Sequence, residues 1–218
     1  MKLGDKLVQG VIFDLDGTLL DSCNIWIEVD RAFFKKRGLV LPDDYSKSIA
    51  HLGLDNAAKY TIERFHLDES KDAIIQEWKN MVLDEYKHKV KLKPGAREFL
   101  DYLKNNNVLI CAATANDEDC YKTCLINNSI YDYFNFVLDV KGYPLGKDSP
   151  DIYIDAAKKL GVDISSCFVF EDILKGLTTA HNAGFNTVAI YEATCQDEKA
   201  KKQIADIYIN DFNDLLKG

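Results

Sequence analysis

The sequence predicts an α/β protein, with a Rossmann-like parallel sheet core into which an all-helical domain is inserted. Two observations predict this class. Short apolar runs typical of buried strands alternate with stretches of helical period about 10 to 12 residues long, the pattern of a parallel sheet covered by helices on both faces. After the first apolar run, a long stretch carries helical patterns and no β-branched run.

The predicted strands are short apolar runs, most of them rich in Val, Ile and Phe. They are residues 7–15, 108–114, 136–140, 167–170, 187–191 and Ile207–Ile209. Most of the gaps between them hold a predicted helix, at residues 94–106, 117–127, 150–160, 174–183 and 197–205. Gly161 and Gly184 stand where helix C-caps are expected.

The inserted stretch is predicted to form four further helices, at residues 23–37, 43–51, 56–65 and 69–88. The Asp-Glu-Ser-Lys segment at 68–71 is typical of a helix start. We therefore assign residues 1–20 and 93–218 to the α/β core and residues 21–92 to a helical cap domain, punctuated at its end by the Lys-Pro-Gly segment 93–95.

Composition excludes several classes of protein. The 218 residues carry 27 Lys and Arg against 35 Asp and Glu, so a general electrostatic hold on nucleic acid is not expected. No apolar run approaches the roughly 18 residues of a membrane span. The first ten residues show no signal-peptide pattern, so we expect a cytoplasmic protein. Its six cysteines, which form no C-x-x-C pair, are expected to be free thiols.

The first predicted strand ends in the segment Phe-Asp-Leu-Asp-Gly-Thr, which places two carboxylates, Asp14 and Asp16, at its carboxyl end. Placing ionised groups beside an apolar strand is costly because they resist desolvation. An ordinary turn without a functional site would also explain these residues, because Asp, Gly and Thr are common turn formers. Ligands of open parallel sheets bind beyond the carboxyl ends of the strands, which favours a functional site here.

Other strand ends supply complementary groups. Thr114 ends the second strand, Lys147 follows the third, and Glu171 and Asp172 end the fourth. In a parallel sheet these points share one edge. Clustered carboxylates need a cation, and an oxygen-rich site suits Mg²⁺. Lys147 and Thr114 then remain to hold an anion, most simply a phosphoryl group.

These motifs, in this order, resemble the haloacid dehalogenase superfamily of hydrolases, in the subgroup with a helical cap after the first strand. That subgroup includes β-phosphoglucomutase, phosphoglycolate phosphatase and other phosphatases of small metabolites. The resemblance extends over essentially the whole chain and is carried by DLDGT, ATAN, GKDSPDIY and EDILKG. It implies an Mg²⁺-dependent phosphatase of a small phosphorylated metabolite, with a cap that closes over the site.

The resemblance also implies a role for each site residue. Asp14 matches the nucleophile that forms an aspartyl-phosphate, and Asp16 matches the general acid and base. Thr114, with the neighbouring amide of Ala115, and Lys147 match the phosphate-binding positions. The implied Mg²⁺ ligands are the side chains of Asp14, Glu171 and Asp172 and the main-chain carbonyl of Asp16.

Two alternatives remain open. One is a phosphomutase similar to β-phosphoglucomutase, although such relatives place an Arg shortly after a Gly in the cap, and here the nearest is Arg64. The other is a phosphate-binding or regulatory protein without turnover. In the acidic motif, Ile173 stands where relatives often have Ser.

Cap side chains within residues 25–30 and 51–59 are expected to select the substrate, and His51 is a candidate to face it. A monomer or weak homodimer is expected.

Overall fold

The computed structural model describes residues 1–49, 52–195 and 197–216. These residues form two compact units. One holds Met1–Ser22 and the chain from Val90 onward, and the other holds Cys23–Lys89. His51 lies outside the described residues. Across the described ranges, no helix combines the length and apolar character that crossing a membrane would require.

The core unit is built on a six-stranded, fully parallel sheet, which confirms the predicted fold class. A short antiparallel hairpin, β1 and β2, precedes it. In chain order the strands are β1 (Lys2–Leu3), β2 (Lys6–Leu7), β3 (Gly10–Phe13), β4 (Leu109–Thr114), β5 (Phe136–Asp139), β6 (Cys167–Glu171), β7 (Asn186–Ile190) and β8 (Ile207–Ile209). The order in the sheet is β5-β4-β3-β6-β7-β8. The chain therefore reverses its direction of winding beside β3, where ligands of such sheets bind.

The first predicted strand, residues 7–15, is wrong in extent. Leu7 belongs to the hairpin, and the sheet strand begins only at Gly10. The hairpin turns at Gly4, which has a φ of +58° that glycine adopts without the clash a side chain would cause. The Gly-Asp pair at positions 4 and 5 is a turn signal that the continuous apolar run obscured.

Among the described residues, five α-helices belong to the core unit. They are α5 (Ala96–Asn105), α6 (Glu118–Asn127), α7 (Asp151–Leu160), α8 (Leu174–Asn182) and α9 (Glu198–Ile204). Gly161 ends α7 in the left-handed conformation, and Gly184, also at positive φ, follows α8.

The core of this unit lies on both faces of β3, because successive strand residues point to opposite sides. Phe13 packs with Phe99 of α5, Phe170 of β6 and Phe212. Ile12 belongs to the other layer, which includes Ile152, Tyr153 and Ala156 of α7. Because both faces of these central strands are covered, side chains of the strands can reach a ligand at the strand ends.

The chain leaves and re-enters this unit along adjacent paths. The Asp21 amide donates to the Lys91 carbonyl over 2.9 Å, and the Lys93 amide donates to the Leu19 carbonyl over 2.9 Å. A domain can be inserted here because the two connecting segments pair with each other, so the sheet is not interrupted.

The described part of the other unit contains four α-helices. They are α1 (Ile25–Lys36), α2 (Tyr45–Ile49), α3 (Gly53–Phe65) and α4 (Lys71–His88). The predicted start of α3 at residue 56 is three residues late, because Gly53 begins the helix. Ser70 caps α4 by accepting a hydrogen bond from the Ala73 amide. Phe33, Phe34, Tyr45 and Trp78 form its aromatic core.

Candidate active site

The carboxyl ends of three neighbouring strands supply the candidate site. Phe13 of β3 is in register with Phe170 of β6 on one side and Ala112 of β4 on the other. The Asp14 amide continues this pairing by donating to the Phe170 carbonyl over 3.0 Å. Register therefore brings Asp14 beside Glu171 and Asp172, although more than 150 residues separate them along the chain.

Three buried carboxylates meet at this edge. Asp14, Glu171 and Asp172 each place an oxygen so that the three atoms lie within 4.8 Å of one another. Burial raises the pKa of Asp172 to about 8, with the charges of Asp14 and Glu171 adding to the shift. Burial also raises the pKa of Glu171. Without a counter-charge, this cluster therefore resists full ionisation.

Lys147 supplies part of that counter-charge. Its Nζ donates to Asp14 Oδ1 and to Glu171 Oε1, the latter over 2.7 Å. Burial disfavours the ammonium, but the two adjacent carboxylates outweigh this effect and raise the pKa of Lys147. The Tyr153 hydroxyl donates to the same Glu171 oxygen over 2.7 Å. One carboxylate oxygen of Glu171 thus accepts from two side chains and is fixed in place.

Asp16 lies outside the group of three carboxylates and has different partners. Its Oδ1 accepts from the Ser22 hydroxyl over 2.6 Å, and its Oδ2 accepts from the side-chain amide of Asn116 over 2.9 Å. Gly17, at a φ of +81°, allows the chain to turn directly after it. The carboxylate is thereby oriented by two neutral donors. The predicted metal contact of its main-chain carbonyl stays a prediction.

The predicted phosphate-binding residues stand at the end of β4. Thr114 is buried, and its Oγ1 accepts from the main-chain amide of Asn116 over 3.0 Å. Ala115, the next residue, is exposed. Their roles toward a phosphate stay predictions.

Sequence reasoning missed several residues that hold the site together. Ser22 and Asn116 orient Asp16, Thr18 donates to Asp172 Oδ1 over 3.1 Å, and Tyr153 donates to Glu171. Asn116 stands in the same ATAN segment as Thr114, so that motif could have indicated it. Tyr153 likewise stands in the GKDSPDIY segment with Lys147, although its place on α7 does not by itself show that its hydroxyl reaches the end of β6.

The donor set fits a hard divalent cation. All three side chains offer carboxylate oxygens, they are buried, and no thiol or imidazole is among them. Mg²⁺ prefers such ligands. The elevated pKa values of Glu171 and Asp172 are the expected consequence of gathering these groups without a cation.

The helical unit has a cavity of its own, of about 350 Å³. Two groups of its lining residues fall within the ranges predicted to select the substrate: Trp26 and Asp30 on α1, and Gly53, Leu54 and Ala57 on α3. Burial raises the pKa of Asp30, although the Ser46 hydroxyl donates to it. Trp78 also lines the cavity, and within the described residues its indole N–H has no hydrogen-bond partner.

Comparisons with known proteins agree with this architecture. The family profile described as "Haloacid dehalogenase-like hydrolase" matches residues 11–190. A Drosophila melanogaster protein named "Probable pseudouridine-5'-phosphatase" is 27% identical over 200 residues, covering 89% of this chain and 86% of that protein. "(DL)-glycerol-3-phosphatase 2" of Arabidopsis thaliana is 30% identical, with coverage of 86% and 81%.

Among solved structures, one described as a "putative beta-phosphoglucomutase" from Thermotoga maritima superposes with a TM-score of 0.86 at 22% identity. The match covers 96% of this chain and 97% of that one. At this level of identity the likeness is one of fold.

Proposed function

The chain belongs to the haloacid dehalogenase-like hydrolase family, and from that premise we propose that it is a Mg²⁺-dependent phosphatase of a small phosphorylated metabolite, acting through an aspartyl-phosphate. The observation that carries the proposal is the group of three buried carboxylates, two of which, Asp14 and Glu171, accept hydrogen bonds from Lys147. A carboxylate nucleophile must approach a phosphate that is itself negatively charged. Placing a cation and an ammonium beside Asp14 removes this obstacle.

In the first step, an Asp14 carboxylate oxygen attacks phosphorus and the bond from phosphorus to the ester oxygen breaks. Asp16, in its acid form, gives its proton to the leaving alkoxide. In the second step, Asp16 takes a proton from water as the water oxygen attacks the same phosphorus. The bond to Asp14 then breaks, inorganic phosphate leaves, and both side chains return to their starting states.

The remaining residues position the phosphoryl group. Lys147 and the end of β4, at Thr114 and Ala115, provide donors for its oxygens. Asp14, Glu171 and Asp172 would hold Mg²⁺, which when bound supplies positive charge that stabilises the transferring group. Ser22 and Asn116 keep the Asp16 carboxylate in one orientation, which proton transfer in both directions requires.

The relatives support a small-metabolite substrate, because their names describe phosphatases of a nucleoside phosphate and of glycerol 3-phosphate. For a mutase, a cap arginine would have to bind a second phosphate. Arg64 is already engaged, since its two terminal nitrogens donate to the two Asp44 oxygens, each over 2.9 Å. This engagement favours the hydrolase.

A phosphate-release screen tests the proposal. Sugar phosphates, phosphoglycolate, glycerol 3-phosphate and nucleoside monophosphates are incubated with the protein, with Mg²⁺ and with EDTA. We expect release from at least one ester only when Mg²⁺ is present. Isomer formation from a hexose 1-phosphate with a trace of bisphosphate, without phosphate release, would establish the mutase instead. No turnover of any ester would leave the phosphate-binding protein as the correct interpretation.

We also propose that the protein works in the cytoplasm as a monomer or weak homodimer. Light scattering over a range of concentrations checks the oligomeric state.

A further inference from the structure

A lysine that the proposed mechanism does not use lies beneath the acidic end of β6. Lys201, on α9, is completely buried. Its Nζ donates to the main-chain oxygen of Asp172 over 2.6 Å and to that of Ile190 over 3.1 Å. Cys195 places its Sγ 3.5 Å from the same Asp172 oxygen.

The partners of this ammonium are unusual. Lys93 and Lys147, the other largely buried lysines of the core unit, pair directly with carboxylates, Lys93 with Glu192 over 2.5 Å. For Lys201 the hydrogen bonds within the described residues go to main-chain carbonyls. An ammonium is expensive to bury, and an apolar side chain of similar length would fill the same volume without that cost. We therefore look for the role of the ammonium in the two main-chain carbonyls to which it donates.

Those groups belong to the ends of two neighbouring strands. Ile190 ends β7 and Asp172 follows β6, and the two strands are paired in register up to Glu171 and Ala189. Asp172 lies one residue beyond that pair, where the register of β6 and β7 within the described residues has ended. Lys201 bridges the two strand ends where the ladder has ended.

Asp172 therefore accepts hydrogen bonds both at its main chain and at its side chain. Lys201 holds its carbonyl, and the Thr18 hydroxyl donates to its carboxylate Oδ1 over 3.1 Å. With the main chain fixed, the carboxylate keeps its position relative to Asp14 and Glu171.

We propose that Lys201 is a positioning residue, which fixes the Asp172 main chain and so sets the affinity of the three-carboxylate group for a divalent cation. This inference rests on the proposed function. It concerns binding by the chain's own residues, so it can be tested without turnover.

The test compares Lys201→Met with the wild type. Methionine is an unbranched side chain one atom shorter than lysine, and it removes the charge and the donors. Lys202→Met is the matched control, because Lys202 is the next residue, half exposed, and pairs with Glu198 on the surface. The Mg²⁺ dissociation constant of each folded protein is measured by isothermal titration calorimetry. We expect Lys201→Met to bind Mg²⁺ about 10- to 100-fold more weakly, the cost typical of losing a group that orients a ligand.

The control should bind within about twofold of the wild type, since its charge lies on the surface. Equal Mg²⁺ affinity in Lys201→Met and the wild type would overturn the inference and leave the proposed function intact. Absence of Mg²⁺ binding in the wild type would instead contradict the metal-dependent function itself.

A measurement on the wild type keeps the inference testable if Lys201→Met fails to fold. The rate of amine acetylation at Lys201 is followed by mass spectrometry, with and without saturating Mg²⁺. Lys93 is the buried comparison. Labelling of a buried lysine requires local opening of the structure, and ligand binding suppresses those openings that disrupt the ligand site. If Lys201 fixes Asp172, Mg²⁺ should therefore slow the labelling of Lys201 at least about tenfold more than it slows the labelling of Lys93. Equal protection of the two lysines would overturn the inference.

Discussion

Gly176 of α8 lies directly against the carboxylate of Glu171. A Cβ atom at Gly176 would stand 2.8 Å from Glu171 Cδ and Oε1 and 3.0 Å from the Tyr153 hydroxyl. These separations are shorter than packed atoms tolerate. The absence of a side chain at position 176 is therefore what allows the helix to support the end of β6 closely.

The first prediction follows from this contact. Gly176→Ala should move the Glu171 carboxylate, lowering kcat at least about tenfold and stability by about 1 to 3 kcal/mol, the usual cost of overpacking. Gly142→Ala is the control, because a Cβ there meets no atom within 4 Å. Initial rates and urea unfolding check both variants, and similar effects of the two substitutions would contradict the role of the Gly176 contact.

The second prediction concerns the nucleophile. Asp14→Asn keeps the shape of the side chain and removes the attacking carboxylate, so kcat should fall by about 10⁴-fold or more. Asp5→Asn, at an exposed residue of the N-terminal hairpin turn, should keep the wild-type rate. Mass spectrometry of the acid-quenched reaction should show a phosphoryl adduct on wild type alone. An Mg²⁺-dependent rate unchanged in Asp14→Asn would show that the catalytic assignment is wrong.

The third prediction links Mg²⁺, pH and stability. In the unfolded chain Asp172 loses its proton near its ordinary pKa of 3.8, whereas burial raises the pKa in the metal-free fold to about 8. Between these values the folded state binds the additional proton, so the stability of the metal-free protein falls as the pH rises from about 4 to about 8. Mg²⁺ binds the ionised carboxylates. Its binding therefore offsets the fall in stability that ionisation of Asp172 causes.

The increase in Tm on adding saturating Mg²⁺ should therefore be larger at about pH 8 than at about pH 5.5, by about 4 °C or more for a protein of this size. Differential scanning fluorimetry with Mg²⁺ and with EDTA measures it. A Tm increase that is independent of pH would contradict the coupling between the cation and these carboxylates.

The fourth prediction concerns Ile173, the N-cap residue of α8. Its side chain is 55% exposed and offers no acceptor to the first helical amides. Ile173→Ser should raise the free energy of unfolding by about 0.5 to 2 kcal/mol, because a hydroxyl can cap those amides. Ile154→Ser removes another exposed isoleucine, from within α7, and should give no such gain. Chemical denaturation of both variants decides the matter, and a gain common to both would contradict the capping explanation.

Much of the fold could be predicted from local pattern alone. The alternation of apolar runs and helical stretches predicted the parallel sheet, because burial on two faces leaves a continuous apolar run. The bounds of α6, α7, α8 and α9 agree with the predicted ones to within a residue or so. The hairpin before β3 was missed, since Leu7 and Gly10 lie in one predicted strand and the Gly-Asp turn signal at positions 4 and 5 lies outside it.

The groups that stand at the strand ends could be predicted from the sequence, because strand ends and turn residues depend on neighbours in the chain. Which of these groups contact one another depends on the tertiary structure. Asn116 reaches Asp16 across 100 residues, and Lys201 reaches the Asp172 carbonyl across 29. Such contacts depend on strand order and register, and on where a helix face falls over a strand end. No local period or spacing encodes that alignment, because it comes from packing the whole sheet.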